Sequence, residues 1–477
     1  MRSDMLIDTD EKIEISGISY DSRMTRPGDM FIAVKGFNSD GHDYAKTAEQ
    51  KGAVCIVCEH DIDSVTVPCI KVSDSRAAMA RIAHRFYGNP TERFKLIGVT
   101  GTNGKTTVTY LLKAILEKAG YKVGLIGTNQ NMIGDRVIEA KHTTPEAPEL
   151  AKLFREMADY GCGYVVMEVS SHSLELNRVD YSRFDTGVFT NLTQDHLDFH
   201  ITMENYENAK QKLFRMCKNS VINVDDPCGA RFAEDFAGTA LTYGIEHGAV
   251  RAENITADIG GVTFDSLSER ISVAIPGKFS VYNALAAAAA AYSLGFEPRL
   301  IKAGLLEASG VKGRVELLPI KRDFAVIIDY AHTPDGLENV LKSIKEFIVG
   351  RLITVFGCGG RRDKSKRPQM GRIAEEYSDL CVVTTDNPRN ESPSDIIADI
   401  LKGMSEVNRR VVVENRREAI AYALNIAQKG DVVLLAGKGH ETYQVLGDET
   451  IHFDEREVVN EILAEASGER SARTNGR

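Results

Sequence analysis

The residues best suited to chemistry lie at positions 101–107, which read Gly-Thr-Asn-Gly-Lys-Thr-Thr. Gly101 and Gly104 allow the backbone to turn sharply and to direct its N–H groups inward, towards an anion. Lys105 offers a cation to the outer phosphates of a nucleotide, and Thr106 offers a hydroxyl ligand to Mg²⁺. This spacing predicts a loop that binds the phosphates of a nucleotide.

A strand and a helix must position this loop, and the flanking sequence predicts both. Residues 95–100 are a short apolar run typical of a buried parallel strand, and apolar residues then recur at helical spacing from Thr106 to Gly120. A helix that begins behind inward-facing N–H groups favours phosphate binding. The standard motif has glycine where this chain has Val99, so an ordinary glycine-containing turn is the alternative interpretation.

Two further polar residues follow predicted strands of the same region. Glu168 ends the apolar run 164–168, and an acid at the carboxyl end of a parallel strand near a phosphate loop is the expected second anchor for Mg²⁺. The alternative is a surface glutamate at the end of a strand. His196 lies in a polar loop after the run 186–189, and a lone histidine is more often structural than a ligand.

Lys210 lies on the apolar face of a predicted helix, together with Tyr206, Leu213 and Phe214. Burial lowers the pKa of a lysine, and a neutral amine can react with CO₂ to form a carbamate, which is an oxygen ligand for Mg²⁺. The alternative is a lysine that extends its ammonium group to solvent. Helical spacing alone leaves both interpretations open.

Four predicted strands in the last third of the chain each end in a loop rich in glycine or charge. These loops are residues 330–335, 357–364, 386–389 and 437–441. In an open parallel sheet the carboxyl-end loops meet in one crevice. A charged loop is usually only solvated surface, but four of them at strand ends predict a ligand site.

Capping residues predict where three helices begin. Thr333 is expected to cap a helix with Pro334 at its first position. Ser280 can cap an alanine-rich helix over residues 283–294. The structural interpretation of the threonine before Pro145 is a cap for a helix over residues 148–160, and a ligand contact can coexist with it, since hydroxyls at a helix start suit an anion.

Length and composition limit the class of protein. A chain of 477 residues is too long for one core, and its 43% hydrophobic and 26% charged residues are typical of a soluble globular protein. The net charge of −10 argues against a nucleic-acid binder. No apolar run approaches the roughly 20 residues of a membrane span, and the N-terminus is acidic where a signal peptide would be basic, so we expect a cytoplasmic protein. Cys55 and Cys58 lie in a strand-like run and are expected to be core thiols.

The predicted fold class is α/β, in three domains. They are a small N-terminal α/β domain over residues 1–90, a central P-loop-type ATPase domain with a mostly parallel sheet over residues 91–312, and a C-terminal Rossmann-like domain over residues 313–477. The first boundary rests on Asn89-Pro90, which is typical of a linker, and the second on Gly313-Arg314. The tail from Gly468 is expected to be disordered.

Four motifs together resemble the Mur ligases over nearly the full length of the chain. They are the segment 101–107, Tyr-x-x-Ala-Lys at 206–210, Asp-Tyr-Ala-His at 329–332 and Asp-Asn-Pro-Arg at 386–389. The resemblance implies an ATP-dependent enzyme of peptidoglycan precursor synthesis that forms an amide bond through an acyl phosphate. It implies UDP-N-acetylmuramoyl-L-alanyl-D-glutamate and meso-2,6-diaminopimelate as substrates. The implied cofactors are ATP, two Mg²⁺ ions, and CO₂ or bicarbonate for a carbamate on Lys210. We expect a monomer without nucleic-acid or membrane partners.

The resemblance also implies the residues of the site. Those for catalysis are Lys105, Glu168, His196 and Lys210. Those for ATP are Gly101, Thr102, Asn103, Gly104, Lys105, Thr106, Thr107, Asn283, Arg314 and Asp329. Those for the UDP-substrate are Ser22, Thr143, Thr144, Ser170 and Arg178. Those for diaminopimelate are Arg362, Asp386, Asn387, Pro388, Arg389, Gly437 and Glu441. The implied Mg²⁺ ligands are Thr106 and Glu168 for one ion, and Glu168, His196 and carbamylated Lys210 for the other.

Two other classes of protein are weighed against this one. A folylpolyglutamate synthetase has a similar phosphate loop, but it lacks the separate N-terminal uridine domain and the Asp-Asn-Pro-Arg loop. A nucleotide switch is disfavoured because the sequence has no Asn-Lys-x-Asp guanine motif. Turnover of ATP that depends on a muramoyl dipeptide would separate all three.

Overall fold

Strands and helices alternate along the chain, as the α/β prediction requires. The computed structural model describes residues 13–37, 39–308 and 310–466. The chain divides into two compact units, the first over Met1–Thr242 and Ala289–Gly295 and the second over Tyr243–Ala288 and Phe296–Arg477. The predicted tail from Gly468 lies outside the described residues.

The first unit begins with a small parallel sheet. In the described part of the chain its four strands are, in spatial order, Gly17–Ser19, Asp29–Ile32, Cys55–Cys58 and Cys69–Lys71. The helices of this region are Gly41–Tyr44, a 3₁₀ turn, and the α-helices Ala45–Gln50 and Ser75–Phe86. The sheet is apolar on both faces, since Phe31 packs into one buried cluster and Met30 into another. Cys55 and Cys58 are buried free thiols, as predicted.

A larger, mostly parallel sheet carries the predicted phosphate loop. Its seven strands within the described residues of the first unit are, in spatial order, Cys217–Asn223, Phe184–Phe189, Lys95–Thr100, Tyr164–Glu168, Val123–Ile126, Asn131–Ile133 and Arg136–Ile138. The last two strands run antiparallel to their neighbours, and the others are parallel. Lys95–Thr100 is central, so the loop at its carboxyl end is flanked by the loops that follow Phe184–Phe189 and Tyr164–Glu168.

Helices cover this sheet. They are the 3₁₀ turn Pro90–Glu92 and the α-helices Lys105–Lys118, Ala147–Tyr160, Ser171–Glu175, Leu197–His200, Met203–Arg215 and Pro227–Asp235. The apolar face of Lys105–Lys118 is buried at Val108, Leu111 and Ile115, which is the helical spacing read from the sequence.

Short strands and two helices follow along the chain, and the second unit begins within the first of these strands. Ala240–Gly244, which enters the second unit at Tyr243, pairs in parallel with Val250–Arg251 through Tyr243 and Val250. An antiparallel sheet follows, with strands Glu253–Asp258, Gly261–Ser266 and Glu269–Val273. The helices Lys278–Ser293, whose residues from Ala289 onward belong to the first unit, and Pro298–Glu307 come next.

A doubly wound sheet forms the rest of the second unit. In the described residues its six strands are, in spatial order, Glu316–Leu317, Ala325–Asp329, Val432–Ala436, Leu352–Phe356, Leu380–Val383 and Arg410–Val412. All neighbours are parallel except the first pair. The helices are Pro334–Lys345, Lys366–Tyr377, Pro393–Leu401, the 3₁₀ turn Val407–Arg409, Arg416–Ile426 and Glu455–Ala466, and the strands Tyr443–Leu446 and Glu449–His452 form a hairpin. The four predicted loops therefore lie at one edge of this sheet.

The helix starts test the capping predictions. Thr333 caps Pro334–Lys345 by accepting a hydrogen bond from Gly336 N at 3.2 Å, as predicted. The prediction for Ser280 is wrong, because its helix already begins at Lys278 and the Ser280 hydroxyl donates to the Pro276 carbonyl instead. The expected threonine cap before Pro145 is also wrong, since the capping position of Ala147–Tyr160 is Glu146 and its side chain makes no capping bond.

Among the helices of the described residues, none has both the length and the apolar character needed to cross a bilayer.

A buried ion pair joins three elements of the doubly wound sheet. Arg416, at the start of Arg416–Ile426, pairs with Glu455 at 2.7 Å, and both side chains are completely buried. The guanidinium also donates to the carbonyls of Ala436 at 2.9 Å and Thr385 at 3.4 Å, at or just beyond the ends of the two strands that flank Leu352–Phe356. Removing one partner of such a pair leaves a buried charge without its counter-ion, which costs about 3–5 kcal/mol.

We therefore expect Arg416→Met to lower the free energy of unfolding by about 3–5 kcal/mol, measured by urea unfolding of the full chain. The matched control is Arg417→Met, because Arg417 is exposed and pairs with surface carboxylates of Glu461 and Glu465. That control should change stability by less than about 1 kcal/mol. Equal unfolding midpoints for the two variants would contradict the role given to the buried pair.

Candidate active site

The backbone of the predicted phosphate loop has a shape that only glycine permits at two positions. Gly101 and Gly104 have φ angles of +147° and +87°, in the region that side chains rarely adopt. A Cβ atom on Gly101 would lie 1.9 Å from Thr190 Oγ1, so a side chain there would also collide with the neighbouring loop. The loop is held from that side, since Asn103 N donates to Asn191 Oδ1 at 2.9 Å.

The lysine of this loop turns back onto it. Lys105 Nζ donates to the carbonyl oxygens of Gly101 at 3.0 Å and Thr102 at 2.8 Å. The hydroxyl-bearing residues Thr106 and Thr107 begin the helix and are both buried. The ammonium group and the helix start are thus both present where the sequence predicts an anion site.

Lys210 reaches the same carbonyl from a second helix. Its Nζ donates to Gly101 O at 2.8 Å and lies 4.4 Å from the centre of the Tyr206 ring. The side chain is completely buried, so the alternative of a lysine that reaches solvent is wrong. Burial, and then the neighbouring Lys105 ammonium, lower the pKa of Lys210 well below its usual value. The structure therefore brings Lys105 and Lys210 together at one oxygen.

His196 lies beside this pair, in a strained backbone. Its φ is +54°, and its Nε2 is 3.3 Å from Asp195 Oδ2. Its ring packs 4.7 Å from that of His172 and 6.1 Å from that of Tyr206. Burial lowers the pKa of His196, while Asp195 opposes the shift. The imidazole is thus favoured in its neutral form, which is the form that binds a metal.

Glu168 ends its strand in a buried position and is held by neutral groups. Oε1 accepts from Thr128 N at 2.8 Å and Oε2 accepts from Thr128 Oγ1 at 3.0 Å. Both oxygens of Glu168 are thus held by neutral donors, and carboxylate and hydroxyl oxygens suit Mg²⁺. Among the described residues, no three His, Cys, Asp or Glu side chains are grouped as metal ligands. The ligands expected for Mg²⁺ also include the hydroxyl of Thr106 and a carbamate on Lys210, and their oxygen atoms suit this ion.

Four of the residues predicted for the UDP-substrate lie around Glu168. Thr143 Oγ1 is 3.1 Å from Thr128 Oγ1, and Thr144 Oγ1 donates to Glu168 O at 2.8 Å. Ser170 N donates to Thr144 Oγ1 at 3.1 Å, and Arg178 Nη1 donates to Thr144 O at 3.1 Å. The fifth, Ser22, is buried in a turn between the strands Gly17–Ser19 and Asp29–Ile32 of the small sheet, where Asp21 accepts from Arg23 N at 2.9 Å.

The residues predicted for diaminopimelate form one cluster in the second unit. Asn387 Nδ2 donates to Glu441 Oε2 at 2.8 Å, and Asn387 N donates to Asp386 Oδ1 at 2.7 Å. A Cβ atom on Gly437 would lie 2.9 Å from Asp386 Oδ2, and one on Gly360 would lie 1.9 Å from Pro388 O. The backbones at Gly360 and Pro388 are therefore in close contact, and the Asp386 side chain packs against the backbone of Gly437.

Within the described residues, the guanidinium of Arg389 is hydrogen-bonded to carbonyl oxygens and makes no ion pair with a carboxylate. Nη1 donates to the carbonyls of Gly360 at 2.9 Å and Asn387 at 3.4 Å. The carboxylate of Glu391, an obvious alternative partner, binds Arg367 instead at 2.9 Å. The side chains of Arg362 and Arg389 both approach Gly359, since a Cβ atom built on Gly359 would lie 3.1 Å from Arg389 Nη1 and 3.7 Å from Arg362 Cγ.

The residues expected to hold the rest of the nucleotide also lie in the second unit. Asp329 accepts from Val315 N at 2.8 Å and Ala331 N at 2.7 Å, and burial raises its pKa, which Arg314 opposes. The Arg314 guanidinium lies 4.9 Å from the centre of the Tyr330 ring. Asn283 is buried in the helix Lys278–Ser293.

Sequence reasoning missed several side chains that organise these clusters. Thr128 binds both oxygens of Glu168, and Asn191 orders the phosphate loop. Lys438 contacts both Asn387 and Glu441. Burial raises the pKa of Tyr443, Glu441 raises it further, and Arg389 opposes the shift. The position of Lys438 inside the loop 437–441 was a usable signal, whereas the roles of Thr128 and Asn191 depend on contacts between distant segments.

A central phosphate-loop sheet together with a doubly wound unit whose loops meet at one edge defines a multidomain, nucleotide-dependent α/β enzyme. Three family models match the chain: the Mur ligase family catalytic domain at residues 14–87, the Mur ligase middle domain at 99–291, and the Mur ligase glutamate ligase domain at 313–439. The chain belongs to the Mur ligase family.

Its relatives match over nearly the whole length. The chain is 55% identical over 462 residues to a UDP-N-acetylmuramoyl-L-alanyl-D-glutamate–2,6-diaminopimelate ligase of Caldanaerobacter subterraneus subsp. tengcongensis, covering 95% of this chain and 96% of that one. It is 50% identical over 467 residues to the ligase of the same name from Clostridium botulinum, covering 96% of both. A solved structure of a ligase of that name has a TM-score of 0.70 at 30% identity and covers 95% of both chains.

Proposed function

We propose that this chain is an ATP-dependent ligase that adds meso-2,6-diaminopimelate to the D-glutamate of UDP-N-acetylmuramoyl-L-alanyl-D-glutamate, in peptidoglycan precursor synthesis. The observation that carries the proposal is the 55% identity over 462 residues to a ligase named for these substrates. We further propose that the enzyme acts as a cytoplasmic monomer, and that its domains divide near residues 90 and 312.

In the proposed reaction the D-glutamate side-chain carboxylate takes the γ-phosphoryl group of ATP, which gives an acyl phosphate and ADP. The amine of diaminopimelate attacks the acyl carbon, an amide bond forms, phosphate leaves and the amine loses a proton. The obstacle is repulsion between the carboxylate and the triphosphate. Lys105 and the N–H groups of residues 101–107 would hold the phosphates, and Asn283, Arg314 and Asp329 would hold the rest of the nucleotide.

We assign Thr106, Glu168, His196 and Lys210 to Mg²⁺, with Lys210 as a carbamate. When bound, Mg²⁺ would neutralise charge on the phosphate oxygens. The lowered pKa of Lys210 supports the modification, because only a neutral amine reacts with CO₂. A carbamate would replace a buried cation by an anion beside Lys105, and so relieve the repulsion between two ammonium groups.

We assign the UDP-substrate to Ser22, Thr143, Thr144, Ser170 and Arg178. The support for the last four is their hydrogen-bonded grouping around the end of the strand Tyr164–Glu168. Ser22 would contact the uridine end of a long substrate, which agrees with its place in a turn that joins strands of a different sheet.

We assign diaminopimelate to the cluster of Arg362, Asp386, Asn387, Pro388, Arg389, Gly437 and Glu441. The far end of diaminopimelate carries both an ammonium and a carboxylate, so its site needs one anion and one cation. Glu441 would take the ammonium, and Arg389 would take the carboxylate with its forked N–H groups. Arg389 suits this role because its protein partners are carbonyl oxygens.

The first prediction that follows from the proposed function concerns Lys210. Lys210→Ala should abolish ligase activity, because the Mg²⁺ ligand is lost, and added short carboxylates should restore part of it. ¹³C-labelled bicarbonate should give a carbamate signal in the NMR spectrum of the wild type that is missing from the variant. Lys212→Ala is the control, since Lys212 is on the same helix but pairs with Glu175 at the surface. A crystal structure with an unmodified Lys210 amine paired to a carboxylate would refute the assignment of Lys210 as a carbamate.

The second prediction concerns Lys105. Lys105→Ala should reduce acyl-phosphate formation by about 10²–10³-fold, because the charge on the transferred phosphoryl group loses its cation. Binding of the UDP-substrate, measured by calorimetry, should be unchanged, since we assign that substrate to other residues. The exposed Lys122, which donates to Tyr160 O, gives the control Lys122→Ala. Turnover of Lys105→Ala near the wild-type rate would refute the assignment of the ATP site.

The third prediction tests the function itself with a panel of amino acids. ATP turnover should require UDP-N-acetylmuramoyl-L-alanyl-D-glutamate and should be far more efficient with meso-diaminopimelate than with L-lysine. The physical reason is that L-lysine leaves Arg389 without a carboxylate, and such truncations cost about 2–5 kcal/mol. Equal efficiency with the two amino acids would refute the substrate assignment.

Within that panel, Arg389→Ala should raise KM for diaminopimelate at least about 30-fold and leave KM for ATP within about twofold. Arg372→Ala is the control, because Arg372 is exposed and pairs with Glu376 on its own helix.

A further inference from the structure

A completely buried lysine lies inside the cluster that we assign to the amino acid. Lys438 follows the strand Val432–Ala436 and has no exposed surface. Its Nζ lies 3.3 Å from Glu441 Oε2 and 3.4 Å from Asn387 Oδ1, and 5.7 Å from the centre of the Tyr443 ring. A buried ammonium group is costly unless it is paired, so its partners define its role.

The three side chains close a ring of hydrogen bonds. Asn387 Nδ2 donates to Glu441 Oε2 at 2.8 Å, and Asn387 Oδ1 accepts from both Lys438 Nζ and Val445 N, the latter at 3.0 Å. Two donors at Oδ1 and one acceptor at Nδ2 fix the orientation of the amide. The Asn387 side chain therefore cannot turn without breaking three bonds.

Both protein donors to Glu441 use the same carboxylate oxygen. Lys438 and Asn387 both bind Oε2, and in the described part of the chain no side chain donates to Oε1. A carboxylate with one oxygen held and the other open can accept a cation in one fixed direction. The open oxygen is the one that would receive the ammonium group of the substrate.

The charge of Glu441 depends on the same contact. Burial raises the pKa of Glu441 and Asp386 raises it further, whereas Lys438 and the bond from Asn387 lower it. Glu441 in turn raises the pKa of two nearby phenols, those of Tyr330 and Tyr443. Lys438 is thus the cation in this group that favours an ionised Glu441.

We propose that Lys438 is a positioning residue for the amino-acid site: together with Asn387 it holds Glu441 so that the open carboxylate oxygen receives the ammonium group of the substrate. The proposal rests on the proposed function, because it takes Glu441 as the group that binds the amino acid. Lys438 itself is closed off from the substrate and acts through Glu441.

The test is a double-mutant cycle with Lys438→Met, Glu441→Gln and the double variant, assayed for KM and kcat with all three substrates. Lys438→Met should raise KM for diaminopimelate at least about tenfold at pH 7 and leave KM for ATP and the UDP-substrate within about twofold. On the Glu441→Gln background the same substitution should change KM for diaminopimelate by less than about threefold, because the group through which Lys438 acts is already gone.

The pH dependence separates positioning from a general structural role. Without Lys438 the pKa of Glu441 is higher than in the wild type, so over the pH range in which Glu441 titrates a larger share of its carboxyl is protonated and cannot take an ammonium group. The ratio of KM for Lys438→Met to KM for the wild type should therefore fall as the pH is raised through that range, which is located by measuring KM from pH 5 to 9. The amines of diaminopimelate titrate equally for both enzymes and cancel in this ratio.

Lys345→Met is the matched control. Lys345 pairs with Asp379 at 2.6 Å near the amino end of the same sheet. The substitution therefore removes a lysine–carboxylate pair that lies away from the site. It should leave all three KM values and their pH dependence unchanged.

Additive effects in the cycle, or a KM ratio that does not change with pH, would overturn the proposal. If Lys438→Met alone fails to fold, the comparison of the double variant with Glu441→Gln decides: equal KM values support the proposal and a further rise overturns it. A wild type that uses another amino acid in place of diaminopimelate would refute the proposed substrate instead, and the cycle would then be run with that amino acid.

Discussion

Two lysine ammonium groups donate to one carbonyl oxygen, that of Gly101, and the first unit depends on how this charge is balanced. Lys105 and Lys210 come from different helices, and burial together with their mutual repulsion lowers the pKa of Lys210. Asp195 is the carboxylate that opposes this shift. Such an arrangement is stable when an anion enters or when one amine loses its charge. A bound triphosphate would be the entering anion, and a carbamate would remove the positive charge of Lys210. The phosphate-loop geometry and the proposed modification would therefore both reduce the repulsion between the two lysines.

Much of the fold could be predicted because it depends on neighbours in the sequence. The strands Tyr164–Glu168, Ala325–Asp329 and Leu352–Phe356 lie where the apolar runs predict them, and Thr333 caps its helix. Apolar periodicity and side-chain capping are local effects, and sequence reports them directly. The error at Ser280 has the same origin: the sequence offered a capping residue, but the helix started earlier, where no such signal marks it.

The site could be predicted residue by residue but not as a network. Motif resemblance named Glu441 and Asn387, yet the bond between them joins residues 54 positions apart in sequence. Thr128 and Glu168 are likewise 40 positions apart. Such partners become visible only when the strand order is known, because adjacent strands in a doubly wound sheet are distant in the chain. The predicted roles of all these residues stay predictions, whereas their grouping is an observation.

The two clusters differ in charge balance, and the difference follows the chemistry proposed for each. Around Gly101 the contacts are made by cations, Lys105 and Lys210, which suits a polyanion such as ATP. In the second unit Lys438 and Glu441 are paired at 3.3 Å, and Arg389 donates to carbonyls nearby. A balanced set of fixed charges attracts neither a pure anion nor a pure cation strongly. It favours a ligand that carries both signs at the matching spacing, since mismatched ligands leave a buried charge unpaired. Selection of a zwitterion thus requires that the charges of the protein be held in place before the ligand arrives, and buried hydrogen bonds such as that of Asn387 to Glu441 provide this rigidity.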